Sequence, residues 1–547
     1  LQSESNQGHA GHEGDKLNEE KGHVTANAFL FAIGTLASRI LGLIRDMMMA
    51  RYFPNDVRDA FINAFRLPNL FRRLFGEGSL SMSFIPVFVE ILSGKNSKSW
   101  AESEKRSRDL IAGVFSLLMS MTITLSLLAT IFMADILKFL LNGEAYMSVP
   151  GKFDLTVRLG RIMFCFLILV SLYAFFMAIH NSLRKFALTA LAPCLFNIAM
   201  IAAAYFSNRF AAPETVLAIG VLVGGFLQMA ILVPGVVRAG HFPHLTFAWE
   251  SRDVWRVVKA FFPAMLGLSL MQMTIVVNMH FASQLPSGSQ SYLYLADRIL
   301  ELPLSLFVVS IGSALLPTLA SFWAQGNRSA MSSTINHSMR LILFVAFPSA
   351  LGMYFLARPI VDVLFLGREF KYVDAISTAQ VIQIYAFAVV IAGGVRILAQ
   401  GFYAIQNTWF PALASGVALI AHVLFAFTLT RAFGLNGLAA ASLCSATVNL
   451  LMLATAYSKW VGSLEAKRLF RAFGKFIACG VVMVGILLLH DRVLAVFGTR
   501  FFARAFVLMM MISLGGAAYL AMARLLKVEE LRDASAVVLS KLRKRRA

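Results

Sequence analysis

Windows of about 20 mostly apolar residues recur about fourteen times along this 547-residue chain, and no other feature restricts its fold as much. They centre near residues 37, 80, 120, 168, 196, 223, 268, 307, 345, 388, 419, 447, 480 and 513. At 1.5 Å per residue each is long enough to cross a hydrocarbon core of about 30 Å. Lipid offers no partner to a backbone N–H or C=O, so each window must satisfy its own and be helical. Charged residues are 14% of the chain and mean hydropathy is +0.71. Soluble domains carry roughly 25% charge. The expected fold is an all-α polytopic membrane protein of about fourteen transmembrane helices, with no long soluble domain between them.

The net charge of +20 does not point to nucleic acid, because no RNP-like or zinc-finger pattern accompanies it. The basic residues instead alternate between loops. Lys105, Arg106 and Arg108 crowd the second loop, Arg184 and Lys185 the fourth, Arg252, Arg256 and Lys259 the sixth, and Lys467, Arg468 and Arg471 the twelfth. Odd loops such as 52–58 and 283–290 are poorer. By the positive-inside rule the even loops and both termini are cytoplasmic, which agrees with an even helix count.

Two stretches echo each other. Ala178-Ile179-His180-Asn181-Ser182 returns as Ala404-Ile405-Gln406-Asn407-Thr408, and Leu67-Pro68 returns as Leu302-Pro303, at offsets of 226 and 235 residues. The similar offsets predict two pseudo-symmetric six-helix lobes in a parallel repeat, followed by two extra helices. Transporters built from such halves hold substrate between them. The chain then divides into a polar tail (1–23), a first lobe (24–236), a second lobe (237–460), two further helices (461–526) and a basic amphipathic tail (527–547) that suits an anionic leaflet. Residues 1–23 lack the apolar region of a signal peptide and read as a disordered tail. Cys165, Cys194, Cys444 and Cys479 lie in apolar segments without a CxxC spacing and read as small core residues.

The polar residues inside the spans carry the functional signal. A cation at bilayer depth costs roughly 2.5–3.5 kcal/mol on insertion scales, so clustered arginines should line a water-filled cavity rather than face lipid. In the second span Asp59, Asn63, Arg66, Arg73 and Glu77 fall within one narrow arc at about 100° per residue, with Arg72 off that face. In the first, Ser38 and Arg45 share a face, and Arg39, Gly42 and Asp46 share another; Gly42 leaves room beside the arginines. The eighth span has Asp297, Arg298 and Glu301 one turn before Pro303, with Arg298 in reach of Glu301. Guanidinium forks suit phosphate and carboxylate, which makes Arg39, Arg45, Arg66, Arg72, Arg73 and Arg298 candidate anion ligands. The blander alternative is a salt-bridge ladder, Asp59–Arg66 and Arg73–Glu77, that only joins helices. Pro68 and Pro303, with nearby glycines, are candidate hinges, although glycine also serves ordinary membrane-helix packing.

Enzyme signatures such as HExxH, GxSxG and a P-loop are missing, and the histidines form no metal-ligand pair. A multidrug cation exporter would need cavity carboxylates in excess. A membrane glycan polymerase would need a catalytic acid on a large loop, and the longest, near 134–154, offers only Asp135, Glu144 and Asp154.

The stretch Gly34-Thr35-Leu36-Ala37-Ser38-Arg39-Ile40-Leu41-Gly42-Leu43-Ile44-Arg45-Asp46 resembles the first-helix signature of the MurJ (MviN) lipid II flippases. Asp59-Ala60-Phe61, the run Phe65–Gly78 and Phe84-Ile85-Pro86-Val87-Phe88 resemble their second-helix signature. Ala296-Asp297-Arg298 with Leu315-Leu316-Pro317, and Gly401-Phe402-Tyr403-Ala404, resemble later parts. The likeness covers most of residues 25–525. It implies a member of the multidrug/oligosaccharidyl-lipid/polysaccharide exporter superfamily in the bacterial cytoplasmic (inner) membrane, with two lobes in a V and a lipid-tail groove at the last two helices. It implies a flippase, not an enzyme, that moves undecaprenyl-diphosphate-linked disaccharide-pentapeptide (lipid II) outward for peptidoglycan synthesis by alternating access. It also implies cell-wall synthesis proteins and membrane lipids as further partners. By position the family's essential cavity arginines correspond to Arg39, Arg45, Arg72 and Arg298, and its functional acids to Asp59 and Glu77. Position 66, often lysine in the family, is arginine here. The loop Phe365–Phe370 departs from the family's glycine spacing and receives no role. No cofactor is expected; membrane potential or a monovalent cation would drive the cycle, and spans 7 and 11 hold no carboxylate for a cation.

Overall fold

The computed structural model describes residues 33–74, 79–94, 99–246, 249–305 and 309–532, and every regular element among them is a helix. Nine helices among the described residues are long and apolar enough to span a bilayer. The longest, Trp409–Trp460, contains the two windows expected near 419 and 447. A Cβ on Gly437 would lie 1.9 Å from the Leu429 carbonyl oxygen. In a straight helix those positions would be about 12 Å apart. The chain therefore doubles back at Gly434, whose φ of +57° suits glycine. The windows near 37, 80 and 268 fall on helices 33–52, Leu80–Leu92 and Arg252–Ser283, and Val309–Ala324 holds a described part of the window near 307. The tail 1–23 lies outside the described residues, as does the basic tail beyond a first helical turn at 529–532.

Local sequence explains where several helices start. Ser99 caps Trp100–Ile131, its hydroxyl accepting from the Glu102 N–H at 3.3 Å. The Asn327 side chain accepts from the Ala330 N–H at 3.0 Å and caps Arg328–Phe355. Pro213 opens Pro213–Ala230, where its missing N–H costs nothing.

The chain forms two compact units. The first comprises Leu1–Phe53, Ala60–Leu140 and Val149–Gln272; the second comprises Pro54–Asp59, Leu141–Ser148 and Met273–Ala547. Between helices in lipid the gain is van der Waals contact rather than transfer from water. The first unit gains it with stacked rings, Phe84 on Phe88 at 5.1 Å and Phe84 against Phe175 at 5.4 Å between centroids. It also gains it by close approach, since a Cβ on Gly34 would sit 2.8 Å from the Cβ of Ala190. Arg106 with Asp253 (2.8 Å) and Arg256 with Glu90 (2.7 Å) tie together helix ends of this unit.

In the second unit the last two membrane helices, Ala466–Leu487 and Phe501–Leu525, pack on Arg328–Phe355 through Phe344, Phe476 and Tyr519. The Tyr519 hydroxyl donates to the Phe344 carbonyl at 3.1 Å. A buried ion pair, Arg340 with Glu530 at 2.9 Å, secures the segment that follows. All four cysteines are free thiols. Cys194 and Cys479 are buried as expected, but Cys165 is exposed where two helix segments meet, so it is not a core residue.

Candidate functional site

The first unit carries the arginines of the first two helical stretches. Arg45 is buried, 8% exposed, and its Nε and Nη2 donate to Oδ1 of Asp46 at 3.0 and 2.9 Å. Its Nη1 donates to Oδ1 of Asn197 at 3.2 Å. The Asn197 Nδ2 in turn donates to the carbonyl and hydroxyl oxygens of Ser38, at 2.9 and 3.3 Å. One amide thus joins Ser38 and Arg45, the two residues predicted to share a face. Asp46 pairs with Arg45 of its own helix. A Cβ on Gly42 would meet only the Asn197 amide, at 3.8 Å, so the space expected there exists. Arg39 is exposed.

The Asn55–Leu74 helix runs unbroken through Pro68, so Asp59, Asn63, Arg66 and Arg73 of the predicted stripe stay on one face. Arg66, Arg72 and Arg73 are all half-buried. Arg72 Nε donates to Asn69 Oδ1 at 2.9 Å, and Arg73 Nη1 to Gln272 Oε1 at 3.2 Å. Both of these partners are neutral amides, which orient the guanidinium groups. Glu77, with Gly76 and Gly78, lies outside the described residues.

Asn63, one turn beyond Asp59, is fully buried, and neither atom of its amide has a hydrogen-bond partner among the described residues. An unsatisfied buried polar group costs about 1–3 kcal/mol. Asn63→Leu, close to it in size, is expected to stabilise this conformation by a similar amount. Thermal unfolding in detergent reads this directly, and an unchanged or lower midpoint would show the amide to be satisfied.

On the second unit a carboxylate caps a helix from outside it. Asp59 accepts from the Gly288 N–H (2.7 Å), the Ser291 N–H (2.9 Å) and the Ser291 hydroxyl (2.7 Å). These groups open the Ser289–Pro303 helix, whose Gly288 cap has φ +95° and no side chain to supply the bonds. The negative charge also suits the helix N-terminus. Around it the Asn55 Nδ2 donates to Asp374 Oδ1 (2.7 Å) and the Tyr292 hydroxyl (3.2 Å). The Lys371 N–H donates to Asp374 Oδ2 at 2.6 Å, and Ser287 donates to Asp56. Arg58, 2% exposed, bonds Asn55 and stacks 4.7 Å from the centroid of Phe370.

Further along the same helix Arg298 meets Glu301 at 2.9 Å, as their spacing predicts, and its Nη2 donates to the Tyr294 hydroxyl at 3.0 Å. Asp297 is exposed. Pro303 ends the regular helix, and residues 304–305 widen to a π-turn. Such a turn frees backbone groups and often marks a functional position.

Asn55, Arg58, Tyr292, Asp374, Asn197 and Gln272 carry these networks and were not expected from sequence. Each is bonded to a residue distant in the chain, or to one whose role depends on such a residue. The loop given no role holds Phe370, which supports Arg58.

Comparison with known proteins places the chain in a family. The family model described as lipid II flippase MurJ matches residues 28–511. A probable lipid II flippase MurJ of Bdellovibrio bacteriovorus is 39% identical over 521 residues, covering 95% of this chain and 98% of that one. A structure of the lipid II flippase MurJ in an inward closed conformation superposes with a TM-score of 0.76 at 24% identity, over 91% of this chain and 98% of that one. An inward-facing multidrug-resistance MATE transporter of the MOP superfamily follows at 0.66 and 12% identity, over 77% and 95%. At those identities the two structures speak for the fold, an all-α polytopic membrane protein. The sequence match spans nearly the whole chain and takes in both arginine-bearing helices and the Asp59-capped one, so this multi-pass membrane protein belongs to the MurJ lipid II flippase family, a family of transporters and not enzymes.

Proposed function

We propose that this chain carries lipid II, the undecaprenyl-diphosphate-linked peptidoglycan precursor, from the cytoplasmic to the outer leaflet of the bacterial inner membrane by alternating access. The observation that carries this reading is membership of a family named for that activity, at 39% identity over 521 residues to one relative so named. The chemistry supports it. A diphosphate bears about two negative charges, and Arg39, Arg45, Arg72 and Arg298 are the guanidinium groups proposed to take it, with Ser38, Arg66 and Arg73 beside them. Amide groups of Asn69 and Gln272 are among the partners that hold Arg72 and Arg73 in place.

Release requires the arginines to lose their hold when access changes. The Asp59 cap is the proposed outer gate, because its three hydrogen bonds break together once the start of the Asn55–Leu74 helix leaves Gly288 and Ser291. Membrane potential, worth about 2.3 kcal/mol per charge per 100 mV, or a monovalent cation would reset the empty carrier. Purified protein in liposomes with labelled lipid II tests the function. Label should reach the opposite leaflet with the wild-type chain and at least tenfold more slowly with Arg298→Ala, while Arg298→Lys recovers part of the rate. No movement of label would refute a flippase, and conversion of label to polymer would identify a polymerase.

Both termini and the even loops are proposed to be cytoplasmic. Cysteines introduced as Ser97→Cys and Gln284→Cys should then label from opposite sides of the membrane, the first from the cytoplasm. Labelling from one side would overturn the orientation.

A further inference from the structure

A cavity of about 280 Å³ lies within the second unit, well away in sequence from the arginines proposed to carry substrate. Its polar lining is Arg358, Asp362, His490, Asp491, Thr499 and Arg504. The volume is enough for a phosphate with a small substituent and far too little for a glycopeptide.

Two guanidinium groups, Arg358 and Arg504, and two carboxylates, Asp362 and Asp491, line the cavity, and neither guanidinium has all its donors paired within it. Arg358 Nε pairs with Asp362 Oδ1 at 2.6 Å, and its guanidinium stacks 3.8 Å from the centroid of Tyr372. These two contacts hold the fork in place. Its Nη2 is nevertheless buried and has no acceptor among the described residues. Arg504 is half-buried, and its side chain makes no hydrogen bond or ion pair among the described residues. Asp491 lines the same cavity but forms no pair with Arg504, since its carboxylate is 96% exposed to water, which screens it, and meets the Nδ1 of His490. Arg504 stands in the first turn of the Phe501–Leu525 helix, which begins at this cavity and has no side-chain cap. The orphan N–H groups and dipole of that helix end add to the positive field.

We propose that this cavity is a binding site for a phosphate group, presented by an anionic lipid headgroup or as the free ion. A phosphate offers tetrahedral oxygens to the Arg358 fork, to Arg504 and to the Thr499 hydroxyl at once, which a carboxylate does less completely. The surroundings favour a lipid. Val496 (83% exposed), Phe502 (84%) and Leu488 (64%) form an apolar fringe on the same short segments, suited to acyl chains beside the headgroup. The segments concerned, 355–371 and 488–500, are odd-numbered loops, which the alternation set by the basic even loops puts on the outer face. The site is independent of the substrate proposed above and stands whether or not the chain moves lipid II.

The test uses the purified full chain in detergent, with its thermal unfolding midpoint followed against short-chain phosphatidylglycerol, inorganic phosphate and, as zwitterionic control, short-chain phosphatidylcholine. Phosphatidylglycerol or phosphate should protect saturably. The apparent affinity should fall at least tenfold in Arg504→Gln and in Arg358→Gln, and much less in Arg504→Lys. If Arg358→Gln fails to fold because Asp362 loses its partner, Arg504→Gln still decides the matter. Stronger protection by phosphatidylglycerol than by phosphate assigns the lipid headgroup; equal protection assigns the free ion. Equal affinity in wild type and Arg504→Gln for both titrants, or no saturable protection in wild type, overturns the site.

Discussion

Asp59→Ala is expected to cut lipid II transport at least tenfold and to destabilise the conformation described here by about 3 kcal/mol. The estimate follows from what the carboxylate holds. It accepts two backbone N–H bonds and one hydroxyl bond at the start of Ser289–Pro303, and Asp59, Gly288 and Ser291 are all buried. A buried N–H left without an acceptor costs about 1–3 kcal/mol, and the charge opposite a helix N-terminus adds up to about 2. Asp59→Asn keeps the shape and one acceptor oxygen, so its loss in unfolding midpoint should be about half that of alanine.

A gate must also open, which a merely structural cap need not do. Ser289 is 4% exposed, so Ser289→Cys should react with an impermeant maleimide only when this end of the unit has parted. Asp59→Asn should speed that labelling several-fold. Lost transport with unchanged labelling would count against the gate and leave Asp59 as a static cap.

Arg45→Ala is the second large effect. Removing one partner of a buried pair costs about 3–5 kcal/mol, because the charge left behind is poorly solvated. Here Asp46, 2% exposed, would lose both hydrogen bonds from Arg45, and Asn197 would lose its donor. Transport should fall at least tenfold, but the single variant does not say why. Combining it with Asp46→Ala does. The pair removed together should return most of the stability, since no buried carboxylate remains. If Arg45 takes the diphosphate, transport stays low in this stable double variant. If Arg45 only neutralises Asp46, transport returns with stability, and the anion-ligand role fails. Arg45→Lys should hold Asp46 and still transport poorly, because one ammonium cannot serve Asp46 and Asn197 as a fork does.

Sequence alone determined the helical class, because lipid forces every long apolar run to close its own backbone bonds. It also determined which face of Asn55–Leu74 is polar, because a helix repeats every 3.6 residues and Pro68 did not break it. The Arg298–Glu301 pair was legible for the same reason: both ends lie one turn apart. Tertiary structure alone decided the partners over long distances. Nothing in the pattern around Asp59 indicated that its oxygens take the N–H groups of a helix more than two hundred residues on. Likewise Asn197 could not be read as the link between Ser38 and Arg45, nor Phe370 as the support of Arg58. Periodicity reports only which face a side chain occupies. Which group it meets depends on how helices pack, and packing is set by many weak contacts spread over the whole chain, so no local pattern contains it.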